Sequence, residues 1–307
     1  MNKKILTTFI IFMFSITTLP ISKAEDIKLP TLAILDTALN SNMPEIKNNI
    51  VYEVCLLDWQ SCPNKTQFQE GPGAAKLPLN QISINGFDHG TMMVSSAIQT
   101  NPNIKILFIR IVGINKDGTR QVANETSLIN ALTWIYINKD RFNIKAISMS
   151  QGHHGLDPGT NYCPKNIAAE SIINKLIDSG VQLFFSAGNQ NDLKKIDWPA
   201  CISSSFSVSA STSEGNLASY TNYDTNLTDI FANGDMKVLL PSGKKINVNG
   251  TSISTQVVAA TYIALVKKYP TYTSQELINL LKLKTIPLVN KNIQNGKILN
   301  VSEALNG

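Results

Sequence analysis

The sequence predicts an α/β fold around a mostly parallel central sheet, and three observations predict it. Short runs such as Leu32-Ala33-Ile34-Leu35 are apolar without a break, as strands covered on both faces are. Longer segments between such runs carry apolar residues at helical spacing. The two kinds alternate along the chain, and that order requires crossover connections and therefore parallel pairing.

Strands are expected at 31–35, 50–54, 105–111, 145–149, 181–186 and 206–210. Helices are expected at 91–99, 127–138 and 166–179, and Gly180 follows the third where a C-terminal cap glycine belongs. A longer helix should run from Ser252 to about Lys268, burying a side formed by Val257, Val258, Thr261, Tyr262, Leu265 and Val266. A last helix starts near Thr273, because Thr273 and Glu276 have capping-box spacing ahead of Leu277, Leu280 and Leu281. The stretches 56–84, 153–164 and 190–205 are richer in Gly, Pro, Asn and Ser and read as irregular. Loops at the carboxyl ends of strands hold the site in an α/β sheet, so these are the expected walls of a cleft. No repeat or low-complexity linker divides the chain, and one domain over 25–307 is expected.

Bulk composition agrees with a folded chain: 43% of the 307 residues are hydrophobic and 16% charged. Lys3 and Lys4, the apolar stretch 5–19 and the small residues Ser22 and Ala24 have the layout of a secretory signal, with cleavage expected after Ala24. The apolar core is short for a membrane span, and no cysteine at the cut marks a lipoprotein. The formal charge is +5, and removing Lys3, Lys4 and Lys23 leaves +2, too little to argue for nucleic acid. Neither a nucleic-acid partner nor a membrane one after cleavage is expected.

Four cysteines remain, Cys55, Cys62, Cys163 and Cys201, and an even count in an exported chain points to disulfides. Four cysteines allow three pairings, of which Cys55 with Cys62 and Cys163 with Cys201 is the simplest. No Cys-x-x-Cys or zinc-binding histidine spacing occurs, so no metal is expected. No acidic cluster has calcium-loop spacing; no cofactor is predicted, and structural calcium is left open.

Four polar residues stand where strands end or helices begin. Asp36 ends an apolar strand, where a carboxylate can fix an imidazole tautomer and stabilise the imidazolium. His89, one of three histidines, opens an apolar helical segment. Ser252 follows Gly250-Thr251 at a helix start, where backbone N–H groups and the positive end of the helix dipole lie near its hydroxyl. Asn189, in Ser186-Ala187-Gly188-Asn189, ends another strand and offers an oxyanion donor. Each alone is an ordinary turn or cap residue; together they supply nucleophile, base, orienting acid and oxyanion donor. A nucleophile elbow of the form Gly-x-Ser-x-Gly is absent, and the Asp, His, Ser order also excludes the α/β-hydrolase arrangement.

These segments resemble the subtilase (S8) family, which shares the Asp, His, Ser order. Asp36-Thr37 matches the family's Asp-Thr/Ser-Gly, with Ala38 for glycine; His89-Gly90-Thr91 matches His-Gly-Thr. Ala187-Gly188-Asn189 matches the oxyanion motif and Gly250-Thr251-Ser252 the nucleophile motif. The tail Asn295-Gly296-Lys297-Ile298-Leu299-Asn300 resembles the family's closing segment. The resemblance implies a single-domain, three-layer subtilisin-like fold and secreted or periplasmic serine endopeptidase activity on polypeptides. It implies Asp36, His89 and Ser252 as triad and Asn189 as oxyanion donor. It further implies substrate binding by Ser150, Gln151 and Gly152 on one wall and by Ser186, Ala187 and Gly188 on the other. A cysteine after Pro199-Ala200 is familiar in secreted bacterial members and supports pairing Cys201 with Cys163.

The sequence also departs from the family. Many members continue the serine motif as Met-Ala-x-Pro, where this chain reads Ile253-Ser254-Thr255-Gln256; Met92 and Ser95 replace a histidine and a glycine. Only eleven residues separate Ala24 from Asp36, so no inhibitory prosegment is expected between them. That layout resembles toxin-type subtilases of narrow substrate range, with a partner subunit. A weak or inactive binding protein on the same fold and a secreted esterase are the competing readings. Asp197, just before Trp198-Pro199-Ala200, aligns with the floor of the S1 pocket and implies a preference for Arg or Lys at the cleaved position. The competing expectation for Asp197 is a solvent-facing loop residue.

Overall fold

Residue parity along the buried strands decides which side of the sheet each side chain fills. In strand β1 (Thr31–Asp36), Leu32 and Ile34 pack into one apolar layer and Ala33 and Leu35 into the other. In β4 (Lys105–Arg110), Ile106 and Phe108 join the first layer and Leu107 and Ile109 the second. Both faces must therefore be covered, and helices cover both. The computed structural model describes residues 29–58, 61–78, 81, 86–115, 117–121, 123–154, 163, 166–291 and 293–307. The expected export signal at 1–24 lies outside them.

The other strands among the described residues are β2 (Ile50–Leu56), β3 (Phe68–Glu70), β5 (Ile144–Met149), β6 (Gln182–Ser186), β7 (Phe206–Ser211), β8 (Ile230–Asn233), β9 (Asp235–Leu239), β10 (Lys245–Asn249), β11 (Thr285–Pro287) and β12 (Lys297–Leu299). Ten form one sheet in the order β11-β12-β8-β7-β6-β5-β1-β4-β2-β3. Its interior pairings are parallel, and only the outermost, β2 with β3 and β11 with β12, are antiparallel. Strands β9 and β10 make a separate antiparallel ribbon. The helices described are α1 (His89–Thr100), α2 (Glu125–Asn138), α3 (Ile167–Asp178), α4 (Thr251–Lys268), α5 (Ser274–Leu283) and α6 (Val301–Asn306). Helices α1, α4, α5 and α6 cover the face of Leu32 and Ile34, and α2 and α3 the opposite face.

Local chemistry sets the helix ends. Asn124 and Asn166 cap α2 and α3 by accepting from Ser127 N and Ala169 N. The capping box of Thr273 and Glu276 is present at α5. Gly180 follows α3 with φ +85°, and its N–H reaches Ile177 O. Helix α4 departs from the one-sided expectation: 13 of its 18 residues are buried, so it runs through the core rather than over it. The stretch read as irregular before His89 holds the short strand β3, which adds an antiparallel edge to β2.

Candidate active site

Asp36 is the last residue of β1, and Thr37 ties that strand end to the start of α1. Thr37 N donates to Asp36 Oδ1 at 2.7 Å, while Thr37 Oγ1 donates to Phe87 O and accepts from Gly90 N, each at 2.9 Å. A side chain at Gly90 would place Cβ 2.5 Å from Ala38 O and 2.7 Å from Phe108 Cζ. Glycine therefore lets α1 seat against β1, and this brings His89 Nδ1 to 2.8 Å from Asp36 Oδ1. Burial alone would raise the Asp36 carboxyl. The His89 charge and hydrogen bond, the Thr37 N–H and the Arg120 charge outweigh it and hold the carboxyl below its ordinary value.

Ser252 is the second residue of α4, after Gly250 at the cap. Its hydroxyl donates to Ser150 O at 3.5 Å, and Ser150 Oγ donates back to Ser252 O at 3.2 Å. Among the described residues it makes no hydrogen bond to His89. A buried network supports this contact. Gln256 Nε2 donates to Ser150 Oγ at 3.1 Å, and Ser148 Oγ donates to Gln256 Oε1 at 2.9 Å. Gln256 is thus built into the site, one turn beyond the serine.

Asn189 Oδ1 accepts from Thr251 N at 2.9 Å and from Thr251 Oγ1 at 3.0 Å. An N–H can only donate, so the amide oxygen must face Thr251, and Nδ2 turns the other way, a donor with no partner among the described residues. Asn189 is exposed, beside the first turn of α4. Gly188 before it has φ +106°, and a Cβ there would fall 2.3 Å from Asn222 Nδ2 and 2.5 Å from Asp197 Cγ. Glycine permits both the turn and the close packing behind it.

The wall behind Gly188 contains Asp197, which is buried rather than solvent-facing. Its Oδ1 accepts from His154 Nδ1 at 2.9 Å and Asn222 Nδ2 at 3.0 Å; its Oδ2 accepts from Gln190 Nε2 at 3.4 Å. Burial raises this carboxyl above its ordinary value, against the lowering effect of the His154 and Gln190 hydrogen bonds. Ser186 ends β6, and Ala187 O accepts from Asp197 N at 2.7 Å. Disulfides join Cys55 to Cys62 and Cys163 to Cys201.

All four chemical groups found in the sequence thus lie at one end of the sheet. The segment expected to pair with substrate, Ser150–Gly152, leads into His153, whose N–H donates to Trp198 O at 3.1 Å. The Gln151 side chain turns to the triad residues: its Nε2 lies 3.1 Å from Asp36 Oδ1 and 3.1 Å from His89 Nδ1. Its Oε1 accepts from Arg120 Nη2. Sequence reasoning missed Arg120, His154 and Asn222, since nothing local to Gly118-Thr119-Arg120 or Thr221-Asn222 marks them as near the site. Gln256 was visible as a departure in the serine motif, but not its partners.

The profile of the Subtilase family matches residues 28–301. The chain belongs to the subtilase family. Subtilisin NAT of Bacillus subtilis subsp. natto is 26% identical over 231 residues, covering 72% of this chain and 56% of that protein. Subtilisin of Bacillus pumilus is 26% identical over 232 residues, covering 72% and 78%. The chain thus matches little more than half the length of the first of these subtilisins. Among solved structures, a cold adapted subtilisin-like serine proteinase aligns with TM-score 0.65 at 22% identity, over 88% of this chain and 87% of that one. The nisin leader peptidase NisP of Lactococcus lactis aligns with TM-score 0.69 at 17% identity, over 91% and 87%. These two likenesses establish the fold. Among the described residues, no helix of this subtilase is long and apolar enough to cross a membrane.

Proposed function

We propose that this subtilase is an exported serine endopeptidase. The observation that carries the reading is the 2.8 Å contact of His89 Nδ1 with buried, ionised Asp36; Ser252 on the first turn of a buried helix supports it. Asp36 holds the Nδ1–H tautomer, leaving Nε2 to take the Ser252 proton as Oγ attacks the scissile carbonyl. The oxyanion that forms is met by Asn189 Nδ2 and the Ser252 N–H. His89 then passes the proton to the leaving amine, Asp36 remaining ionised, and water releases the acyl group by the reverse sequence. Attack requires the Ser252 hydroxyl to leave Ser150 O and donate to His89 instead.

Substrate backbone would pair with Ser150–Gly152 on one side and Ser186–Gly188 on the other. At the cleaved position we propose a basic residue. Asp197 supplies the carboxylate, and of its roughly four acceptor sites three have donors among the described residues, with room on Oδ2 for an entering cation. A P1 scan on the wild type and Asp197→Asn tests this; an aliphatic or aromatic preference, or a basic preference unchanged in the variant, contradicts it. Export rests on the signal-like N-terminus and the two disulfides, which suit an oxidising compartment. The experiment for the activity itself is active-site labelling with a fluorophosphonate.

A catalytically weak binding protein is the second reading, and the Ser252 hydroxyl resting on Ser150 O favours it. A labelled serine that turns over no peptide would select it.

A further inference from the structure

Two side chains at the triad have no part in the chemistry above, Gln151 and Arg120. Gln151 is buried against Asp36 and His89. When His89 Nδ1–H donates to Asp36 Oδ1, the Gln151 Nε2 donates to the same oxygen, and the 3.1 Å approach of Nε2 to Nδ1 is that of two donors sharing one acceptor. Arg120 decides which end of the amide faces Asp36. A guanidinium has only donors, so Oε1 must face Arg120 and Nε2 must face the triad. Arg120 Nη1 also reaches Gly86 O at 3.4 Å, tying its loop to the segment that leads into His89.

We propose that Arg120 and Gln151 are a positioning pair: Arg120 locks the Gln151 amide, which fixes the Asp36 carboxylate and limits how strongly its Oδ1 draws the His89 proton. The inference rests on the triad reading. The charged groups acting on Asp36 are His89 and Arg120, with the Thr37 N–H and the Gln151 amide as neutral donors. Removing Arg120 takes away a cation that opposes imidazolium and frees the amide to turn. The protonated Asp36–His89 couple then gains relative to the neutral one, and the acid limb of kcat/KM moves to higher pH.

The test compares the wild type with Arg120→Met, Arg120→Lys, Gln151→Met and the double Met variant, using one peptide substrate over a range of pH. Arg120→Met and Gln151→Met should lower kcat roughly tenfold, the lower end of what losing an outer partner gives at a metal site. KM should change little, and the acid limb should rise in both. The double variant should resemble either single one, since the two residues act as a unit. Arg120→Lys keeps the charge and should return the limb toward its wild-type position. A wild-type limb and kcat in Arg120→Met, or a change in KM alone, overturns the proposal. Where a Met variant fails to fold, the downfield His89 Nδ1–H proton resonance is compared between wild type and Arg120→Gln, which stays polar but removes the charge acting on Asp36; an identical resonance overturns the proposal. Ser252→Ala separates the two ideas. If it abolishes turnover while Arg120→Met changes nothing, only the positioning pair falls; if it keeps turnover, the triad falls, and the resonance still decides the pair.

Discussion

Asp36 is ionised despite complete burial, and its neighbours explain why. Each partner, His89, Thr37 N and Gln151, is a donor that a neutral carboxyl would satisfy less well. The linkage has a definite sign. Because the folded carboxyl lies below its ordinary value of 3.8, its stabilising contribution is complete above that pH and is lost as pH falls through the folded value. Urea unfolding of wild type and Asp36→Asn should show a gap at neutral pH that closes on acidification below that value. Asp197 has the opposite sign: its carboxyl is raised, so it takes away stability as pH climbs from 3.8 toward the folded value. The wild type should therefore lose ground to Asp197→Asn over that rise, read by the same unfolding series. If Asn189 serves the oxyanion as proposed, Asn189→Ala should lower kcat by about 10²–10³, the magnitude that losing subtilisin's oxyanion donor gives, with little change in KM.

At the scale of elements, the site depends on two close approaches, α1 onto β1 and the turn after β6 onto the start of α4. Gly90 permits the first. Gly90→Ala should cost about 1–3 kcal/mol in urea unfolding, because its Cβ meets backbone at Ala38 O that cannot swing away. Its activity should fall by more than the unfolded fraction accounts for, since His89 moves with the helix. Much of this level was legible in the sequence. Continuous apolar runs marked the central strands, and Thr273 with Glu276 marked the start of α5. The ribbon of β9 and β10 was missed although Lys245-Ile246-Asn247-Val248-Asn249 alternates as a half-buried strand does; it is short, and its partner is only the other half of the ribbon. Strands β11 and β12 were missed for a similar reason: three residues each carry too little pattern to distinguish a strand from a loop. The four chemical groups could be read because each sits in a short motif. The side chains that hold them, Gln151, Arg120 and Gln256, could not, because their partners lie 31 to 115 residues away in sequence.

At the scale of the molecule, one sheet carries its site at the strand ends, and helices on both faces keep those ends in register. The Cys163–Cys201 bond spans 38 residues and joins the segment after Gly152 to the one after Asp197. Cys163→Ser with Cys201→Ser should lower stability by about 2–4 kcal/mol and lower affinity for peptide more than kcat. Thermal unfolding and steady-state kinetics read the two effects, and a stability unchanged by the pair of substitutions would contradict a bracing role.

The central claim is that Ser252 is a nucleophile activated by His89 and Asp36. Stoichiometric labelling with a fluorophosphonate, located by mass spectrometry, tests it most directly. The account predicts one label per chain on Ser252, blocking peptide hydrolysis, and none on folded Ser252→Ala, whose turnover should fall by a factor on the order of 10⁶. A label on another residue, or hydrolysis that survives in Ser252→Ala, would contradict it.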